Sequence, residues 1–200
     1  MSDIDLRGVR IGLGVTGSFC TFEQILPMLE RLVALGAAVT PIFSYATSQW
    51  DTRFFTASAF RERVEGLAVP VLTTVPQVEP IGPKKLLDIM LIAPCTGNTL
   101  AKLVHGIVDT PVVMAAKSML RNNRPVVVAV STNDALGNNA ENIGQLMNMR
   151  NLFFVPFGQD DLVGKPRSMT ADFMQAPEAL ALALSNEQIQ PMLLSGGMRG

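Results

Sequence analysis

Three short polar segments each follow an apolar run that predicts a β-strand. They are Thr-Gly-Ser at 16–18, Pro-Cys-Thr-Gly-Asn-Thr at 94–99 and Ser-Thr-Asn-Asp at 131–134. In sheets of parallel strands, ligands bind beyond the carboxyl ends, where such segments meet. Gly17 permits a tight turn, and Ser18 places a hydroxyl beside the free N–H groups of a helix start, which suits an anion. A glycine turn with a serine cap explains the first segment equally well, so both interpretations stay open.

The segment at 94–99 combines hydroxyls, a carboxamide and backbone N–H groups at a predicted helix start. The amide of Asn98 has both donor and acceptor atoms, which suits the polar edge of a flavin. Helix capping by Thr96 or Asn98 explains one of these residues but not the whole cluster. We therefore predict a ligand site at this segment, 94–99.

Gly12, Gly14 and Gly17 match the G-x-G-x-x-G pattern of dinucleotide-binding proteins. That pattern needs an acidic residue at the end of the second strand, where it binds the ribose hydroxyls. Here Ser44 follows the second predicted strand, and the first acidic residue comes only at Asp51. A serine hydroxyl suits a phosphate oxygen, so the sequence favours a mononucleotide phosphate over NAD.

Few other residues offer recognisable chemistry. Gln-Asp-Asp at 159–161 follows another predicted strand and is either a substrate contact or a solvated turn, with the turn favoured. His105 is the single histidine, and a structural role is predicted for it. Cys20 and Cys95 make no disulfide framework and are predicted to be reduced and packed. No metal-ligand spacing and no trio of nucleophile, base and acid occurs.

Apolar periodicity predicts alternating strands and helices. The predicted strands are 9–15, 39–43, 69–72, 88–93, 112–114, 126–130 and 152–155. The predicted helices are 21–35, 57–66, 99–106, 116–122, 141–149 and 171–184. Residues 75–83 are predicted to form a loop. Repeated strand–helix units with short connections indicate one α/β domain, a doubly wound, Rossmann-like parallel sheet with helices on both faces.

The composition fits a globular protein with a large core. Of 200 residues, 48% are hydrophobic and 16% charged, and the formal net charge is −1. No basic stripe indicates nucleic acid, and no apolar stretch is long enough for a membrane span. The first residues contain no apolar block typical of a secretory signal, so a cytoplasmic protein is predicted. A small domain with so little net charge and so many apolar residues is expected to form a homo-oligomer.

Two segments resemble a known family. GVTGSFCTFE at 14–23 and IAPCTGNTLAKLVHGIVDT at 92–110 are similar to the flavoprotein family of FMN-binding cysteine decarboxylases and flavin prenyltransferases. The resemblance implies FMN as the cofactor. It places the FMN phosphate on Gly17, Ser18 and Ser44, and the ring and ribityl chain against Thr96, Gly97, Asn98 and Thr99.

The chain departs from that family at its catalytic groups. The decarboxylases carry a histidine in the stretch that reads Val-Glu-Pro-Ile at 78–81 here, close to Pro80, and their Pro-Ala-Met-Asn loop is replaced by Ala-Ala-Lys-Ser at 115–118. The arginine of the prenyltransferases is replaced by Ser-Thr-Asn at 131–133. Neither chemistry keeps its key groups, so the catalytic residues are unknown. The candidates that remain are Lys117, Asn133 and Asp134.

A second resemblance covers residues 7–191. Its segments are EPIGPKKLLDIMLIAP at 79–94, VSTNDALGNN at 130–139, FFVPFGQDD at 153–161 and KPRSM at 165–169. They are similar to one of the two components of an oxidoreductase of sporulating bacteria, which acts on a small cyclic dicarboxylate.

The second resemblance implies a nucleotide-binding A subunit as partner, with NAD(P) bound there. Two alternatives stay open: a non-catalytic partner that completes the A subunit, and an FMN enzyme of the decarboxylase or prenyltransferase type. The domain is predicted to span 1–190, followed by a flexible tail at 191–200.

Overall fold

Seven strands carry the fold in the part of the chain that the structure describes. They are β1 (Arg10–Val15), β2 (Ala38–Phe43), β3 (Ile89–Cys95), β4 (Val126–Thr132), β5 (Leu152–Phe154), β6 (Phe157–Gly158) and β7 (Met169–Ala171). The computed structural model describes residues 4–195. The strands β2, β1, β3 and β4 lie side by side in that order, all parallel, and β5 pairs parallel with β4. β7 pairs antiparallel with the end of β4, and β6 pairs antiparallel with β7.

Eight α-helices cover the sheet among residues 4–195. They are α1 (Phe22–Ala34), α2 (Tyr45–Gln49), α3 (Ala57–Glu65), α4 (Val75–Val78), α5 (Gly97–His105), α6 (Pro111–Arg121), α7 (Asn139–Met147) and α8 (Ala176–Leu184). α1 contacts α3 and α8, whereas α6 contacts α4 and α5, and α5 contacts α7. The predicted fold class is therefore confirmed as one α/β domain with a mostly parallel sheet flanked by helices. No helix within 4–195 is long and apolar enough to span a membrane.

The central strands are buried throughout, as expected for strands with helices on both sides. All seven residues of β3 are buried. In β1, Gly12 and Gly14 lie inside the strand, on one of its two faces. A Cβ at Gly14 would lie 2.9 Å from both Met90 Cε and Val112 Cγ1. Gly14 therefore allows α6 to pack closely on the sheet, Gly12 makes room for Leu87, and neither glycine forms a phosphate loop.

The predictions for 9–15, 39–43, 88–93, 126–130 and 152–155 are confirmed as β1 to β5 within a few residues. The strand predicted at 112–114 is wrong, because α6 begins at Pro111. The Thr110 side chain accepts a hydrogen bond from Val113 N (3.5 Å), and proline is favoured at a first helical position. This start signal outweighs the β-propensity of two adjacent valines.

Other boundaries also differ from the predictions. Residues 69–72 form a single bridge, between Leu72 and Ile42, instead of a strand. The predicted loop at 75–83 contains α4 and a 3-10 turn. The strand before Pro94 continues through it to Cys95. The predicted helix 171–184 begins only at Ala176, since its first residues belong to β7 and a 3-10 turn.

The chain after α8 returns to the sheet. Phe157 N donates to Met192 O (3.0 Å), and Leu194 N donates to Phe157 O (2.9 Å). These contacts lie within the segment predicted as a flexible tail, 191–200. Residues 196–200 of that segment lie outside the described residues.

The amino end of the sheet is closed by an ion-pair cluster. Asp88 accepts hydrogen bonds from Arg10 Nη2 (2.6 Å), Arg10 Nε (3.0 Å) and Arg124 Nη1 (3.1 Å). Arg124 also donates to the carbonyl oxygen of Leu87. The hydrogen bond from Arg10 holds the pKa of Asp88 well below its usual range, although partial burial opposes the shift. This cluster joins the starts of β1, β3 and β4.

Candidate ligand-binding cleft

A cleft of about 1150 Å³ opens at the carboxyl end of the sheet. The residues that line it come from the turn after β1, the loop before α3, the ends of β3 and β4, and the β6–β7 hairpin. The lining residues are Gly17, Ser18, Phe19, Cys20, Thr21, Gln24, Arg53, Phe54, Thr96, Ser131, Thr132, Asn133, Asp160, Asp161, Lys165, Ser168, Thr170, Ala171 and Asp172.

Hydrogen bonds between the ends of β1, β3 and β4 fix the floor of the cleft. The hydroxyls of Ser18 and Ser131 are 2.7 Å apart, although their strands are separated by β3. The hydroxyl of Thr16 donates to Pro94 O (2.7 Å) and accepts from Thr96 N (3.0 Å). The polar segments that follow these strands therefore meet at one edge of the sheet, as the sequence predicted.

The turn at Gly17 and Ser18 has unsatisfied backbone donors. Among residues 4–195, the N–H groups of Gly17, Phe19 and Cys20 find no acceptor, whereas Ser18 N donates to Thr16 O (2.8 Å). A 3-10 turn (Phe19–Thr21) leads directly into α1. Free N–H groups and the positive end of a helix both favour an anion.

Thr21 directly precedes α1. The side chain of Thr21 caps no helical N–H. Its hydroxyl donates instead to Ser18 O (2.8 Å), which braces the turn.

The members of the second predicted site are divided between two roles. Thr96 lines the cleft and caps α5, since its hydroxyl accepts from Thr99 N (3.3 Å) and lies 3.0 Å from the Thr99 hydroxyl. Gly97 is buried, and a Cβ there would lie 2.8 Å from Thr132 Oγ1. Asn98 is exposed but is not among the residues that line the cleft, and its amide makes no hydrogen bond within the described chain.

Ser44 lies next to this turn but does not line the cleft. Its hydroxyl accepts from Thr47 N (3.3 Å) and so caps α2. Ser44 N donates to Val15 O (3.0 Å), and a Cβ at Gly17 would lie 3.4 Å from Ala46. The start of α2 therefore packs beside the anion-suited turn.

The three catalytic candidates are not brought together. Asn133 is exposed and lines the cleft. Asp134 accepts from Thr132 Oγ1 (2.5 Å) and Asn139 Nδ2 (2.7 Å), which orders the loop before α7. Lys117 lies in the middle of α6 and lines a separate apolar groove. Lys117 became a candidate because residues 115–118 were compared with a loop of the decarboxylases. That comparison assumed a strand at 112–114, which the structure does not contain.

Sequence analysis missed part of the cleft wall. Arg53 stacks on Phe54, with its guanidinium carbon 4.8 Å from the ring centroid, and both residues line the cleft. Lys165 and Ser168 line it from the β6–β7 hairpin. A cluster of aromatic and basic residues in WDTRFF at 50–55 was the available signal for the first pair.

The two cysteines differ in environment. Cys95 is buried, and burial raises the pKa of its thiol. Cys20 is exposed at the cleft, so the prediction that both thiols are packed is wrong for Cys20. Within 4–195, no group of three or more histidine, cysteine or acidic side chains is arranged to hold a metal ion.

Comparison with known proteins identifies the family. Residues 2–178 match the family model described as Flavoprotein. The chain belongs to the Flavoprotein family. Among curated relatives, the B subunit of dipicolinate synthase from Bacillus subtilis (strain 168) is 46% identical over 190 residues, which cover 94% of this chain and 95% of the relative.

Solved structures agree with this assignment. The B subunit of dipicolinate synthase from Bacillus halodurans is 44% identical, with a TM-score of 0.88 over 96% of this chain and 98% of that chain. AnUbiX (PadA1), solved with FMN and dimethylallyl pyrophosphate, is 19% identical, with a TM-score of 0.64 over 97% of this chain and 100% of that chain. At that lower identity the likeness concerns the fold alone.

Proposed function

We propose that this chain is the B subunit of a dipicolinate synthase. It acts with an A subunit to oxidise dihydrodipicolinate to dipicolinate during sporulation, as a cytoplasmic oxidoreductase component. The observation that carries the proposal is an anion-suited cleft at the carboxyl edge of the sheet, in a chain 46% identical to a dipicolinate synthase component.

FMN is the proposed cofactor, and the residues at the turn fit its phosphate. The free N–H groups at Gly17, Phe19 and Cys20 lie beside the hydroxyls of Ser18 and Ser131. This donor set suits a dianionic phosphate. Bound FMN supplies a two-electron acceptor.

The start of α5 is the proposed contact for the flavin ring and ribityl chain. Thr96 lines the cleft, and the exposed Asn98 has an unengaged amide at the same helix start. Asn98 would bind the polar edge of the ring, whereas Gly97 and Thr99 would support that contact by shaping the first turn. Ser44 would support the phosphate through the start of α2.

NAD(P) is proposed to bind the partner, because Gly12 and Gly14 are occupied with packing and Ser44 replaces the ribose-binding acid. Residues 1–190 are proposed to form the functional domain, which assembles as a homo-oligomer and with the A subunit. Cysteine decarboxylation is not expected, since the stretch around Pro80 lacks the histidine that the decarboxylases carry there.

Two measurements test the proposal. Titration of the purified chain with FMN, alone and with the A subunit, should quench flavin fluorescence in a saturable manner. Dihydrodipicolinate oxidation is then measured with the A subunit alone, this chain alone, and both together. We expect full activity only with both. Equal activity of the A subunit alone would refute the assignment. An active pair that never binds flavin would refute the FMN part and favour a non-catalytic completing role.

A further inference from the structure

Three carboxylates line the cleft, and two of them already have structural partners. Asp161 accepts hydrogen bonds from the backbone of Gly164 (2.7 Å) and Val163 (3.2 Å), which closes the turn of the hairpin. Asp172 accepts from Met174 N (3.1 Å) and Gln175 Nε2 (2.9 Å), which caps the 3-10 turn before α8. Local structure therefore accounts for both.

Asp160 is different. Its Oδ1 atom is buried and has no hydrogen-bond partner among the described residues. A buried polar atom without a partner costs about 1–3 kcal/mol, and more when it carries charge. Such an atom needs an explanation, and a bound ligand that supplies the missing donor is one. Asp160 lines the cleft in which that ligand is proposed to bind.

The loop that carries Asp160 is held in place on both sides. Before it, Gly158 pairs with Thr170 in the β6–β7 ladder. After it, Gln159 Nε2 donates to Pro166 O (2.8 Å), and Lys165 N donates to Asp161 O (3.1 Å). Hydrogen bonds on both sides of Asp160 therefore fix the backbone that carries its carboxylate. A group that reacts with a bound molecule needs such support.

The same cleft offers cations for an anionic substrate. Arg53 and Lys165 both line it. Neither makes a salt bridge within the described part of the chain. Two cations complement the two carboxylates of a dicarboxylate, and they offset its repulsion by Asp160.

We propose that Asp160 is the proton acceptor in the oxidation of the dihydropyridine dicarboxylate; this inference rests on the proposed function. Aromatisation of the ring removes two hydrogens. One leaves with its electron pair, as a hydride, to a flavin or nicotinamide acceptor. The other leaves as a proton to the Asp160 carboxylate, and the C–H electrons left behind complete the aromatic ring.

The test uses the reconstituted pair of subunits with Asp160→Asn and Asp160→Ala. Loss of general-base help lowers a rate by about 10²- to 10⁴-fold, so we expect a fall in kcat of at least 100-fold with KM within threefold. Added formate should restore turnover to Asp160→Ala in a concentration-dependent manner, because it fits the vacated space as an external base. Formate should not stimulate the wild type.

Matched controls separate this role from folding. Asp5→Asn removes the same charge from an exposed ion pair with Arg7, and it should keep wild-type turnover. Asp160→Asn should keep or raise the melting temperature, because it removes an unpaired buried charge. A lowered melting temperature would show a structural role and overturn the proposal.

The remaining outcomes are distinct. Wild-type turnover in Asp160→Asn would overturn the proposal while leaving the synthase assignment intact. Failure of formate to rescue an impaired Asp160→Ala would also overturn it. An inactive wild-type pair would refute the proposed function itself.

Discussion

The two ends of the parallel sheet are built in opposite ways. At the amino end, Asp88 is bound by both Arg10 and Arg124, and the charged groups satisfy one another. At the carboxyl end, the turn at Gly17 keeps free N–H groups, and Asp160 keeps a buried oxygen without a partner. The first end contributes stability, whereas the second keeps binding capacity at the expense of stability.

Ser18→Glu should have the largest effect, and it acts at the carboxyl end. A glutamate there places a negative charge and extra bulk in the turn proposed for the phosphate. We expect FMN affinity to fall at least 100-fold, or about 3 kcal/mol, with a small change in melting temperature. Flavin fluorescence titration measures the affinity. Ser58→Glu, at an exposed serine of α3 outside the cleft, is the control and should bind FMN normally. Unchanged affinity in Ser18→Glu would contradict the phosphate site.

Asn98→Ala should have an intermediate effect. Loss of one directed hydrogen bond costs about 1–3 kcal/mol, which corresponds to roughly five- to 150-fold in flavin affinity and in dipicolinate formation. The melting temperature should not change, because Asn98 is exposed and its amide is unengaged. Asn138→Ala, at another exposed asparagine without a side-chain cap hydrogen bond, is the matched control. Equal affinity in the two variants would show that the ligand does not reach α5.

Asp88→Asn should have the smallest effect, and it acts only on stability. We expect a loss of about 1 kcal/mol in the free energy of unfolding, with flavin affinity unchanged. The folded-state pKa of Asp88 is lowered, so its contribution is present above the unfolded pKa of about 4 and is lost as pH falls through the folded value. In denaturant unfolding, the difference in stability between the two proteins should therefore be constant from pH 8 to 5 and narrow progressively as the pH falls below about 4 toward the lower folded-state pKa. A difference that persists in strong acid would contradict the ion-pair explanation.

Local sequence predicted the central strands because β3 and β4 are continuous apolar runs. Such runs can be recognised without knowing which segments they pack against. The prediction of a strand at 112–114 was wrong because it gave two β-branched valines more weight than the helix-start signal at Thr110 and Pro111. The β6–β7 hairpin could not be predicted, since its strands are two and three residues long and pair only through tertiary contacts.

The cleft shows the same limit. Ser18, Thr96 and Ser131 were predictable because each follows a recognisable strand, and strand ends meet at one edge. Arg53 and Lys165 were not, because both lie in irregular segments whose direction is set by packing. The sequence placed Asp160 in a segment that is either a substrate contact or a turn, and its unpartnered oxygen is visible only in the folded chain.

The close packing of α6 on β1 also constrains how this family can evolve. Gly14 and Val112 share one small volume, since a Cβ at position 14 would lie 2.9 Å from Val112 Cγ1. A side chain at position 14 is tolerated only with a smaller residue at position 112, so the two sites should covary among relatives. The middle glycine of a pattern that resembles a nucleotide fingerprint is here explained by steric contact between a strand and a helix.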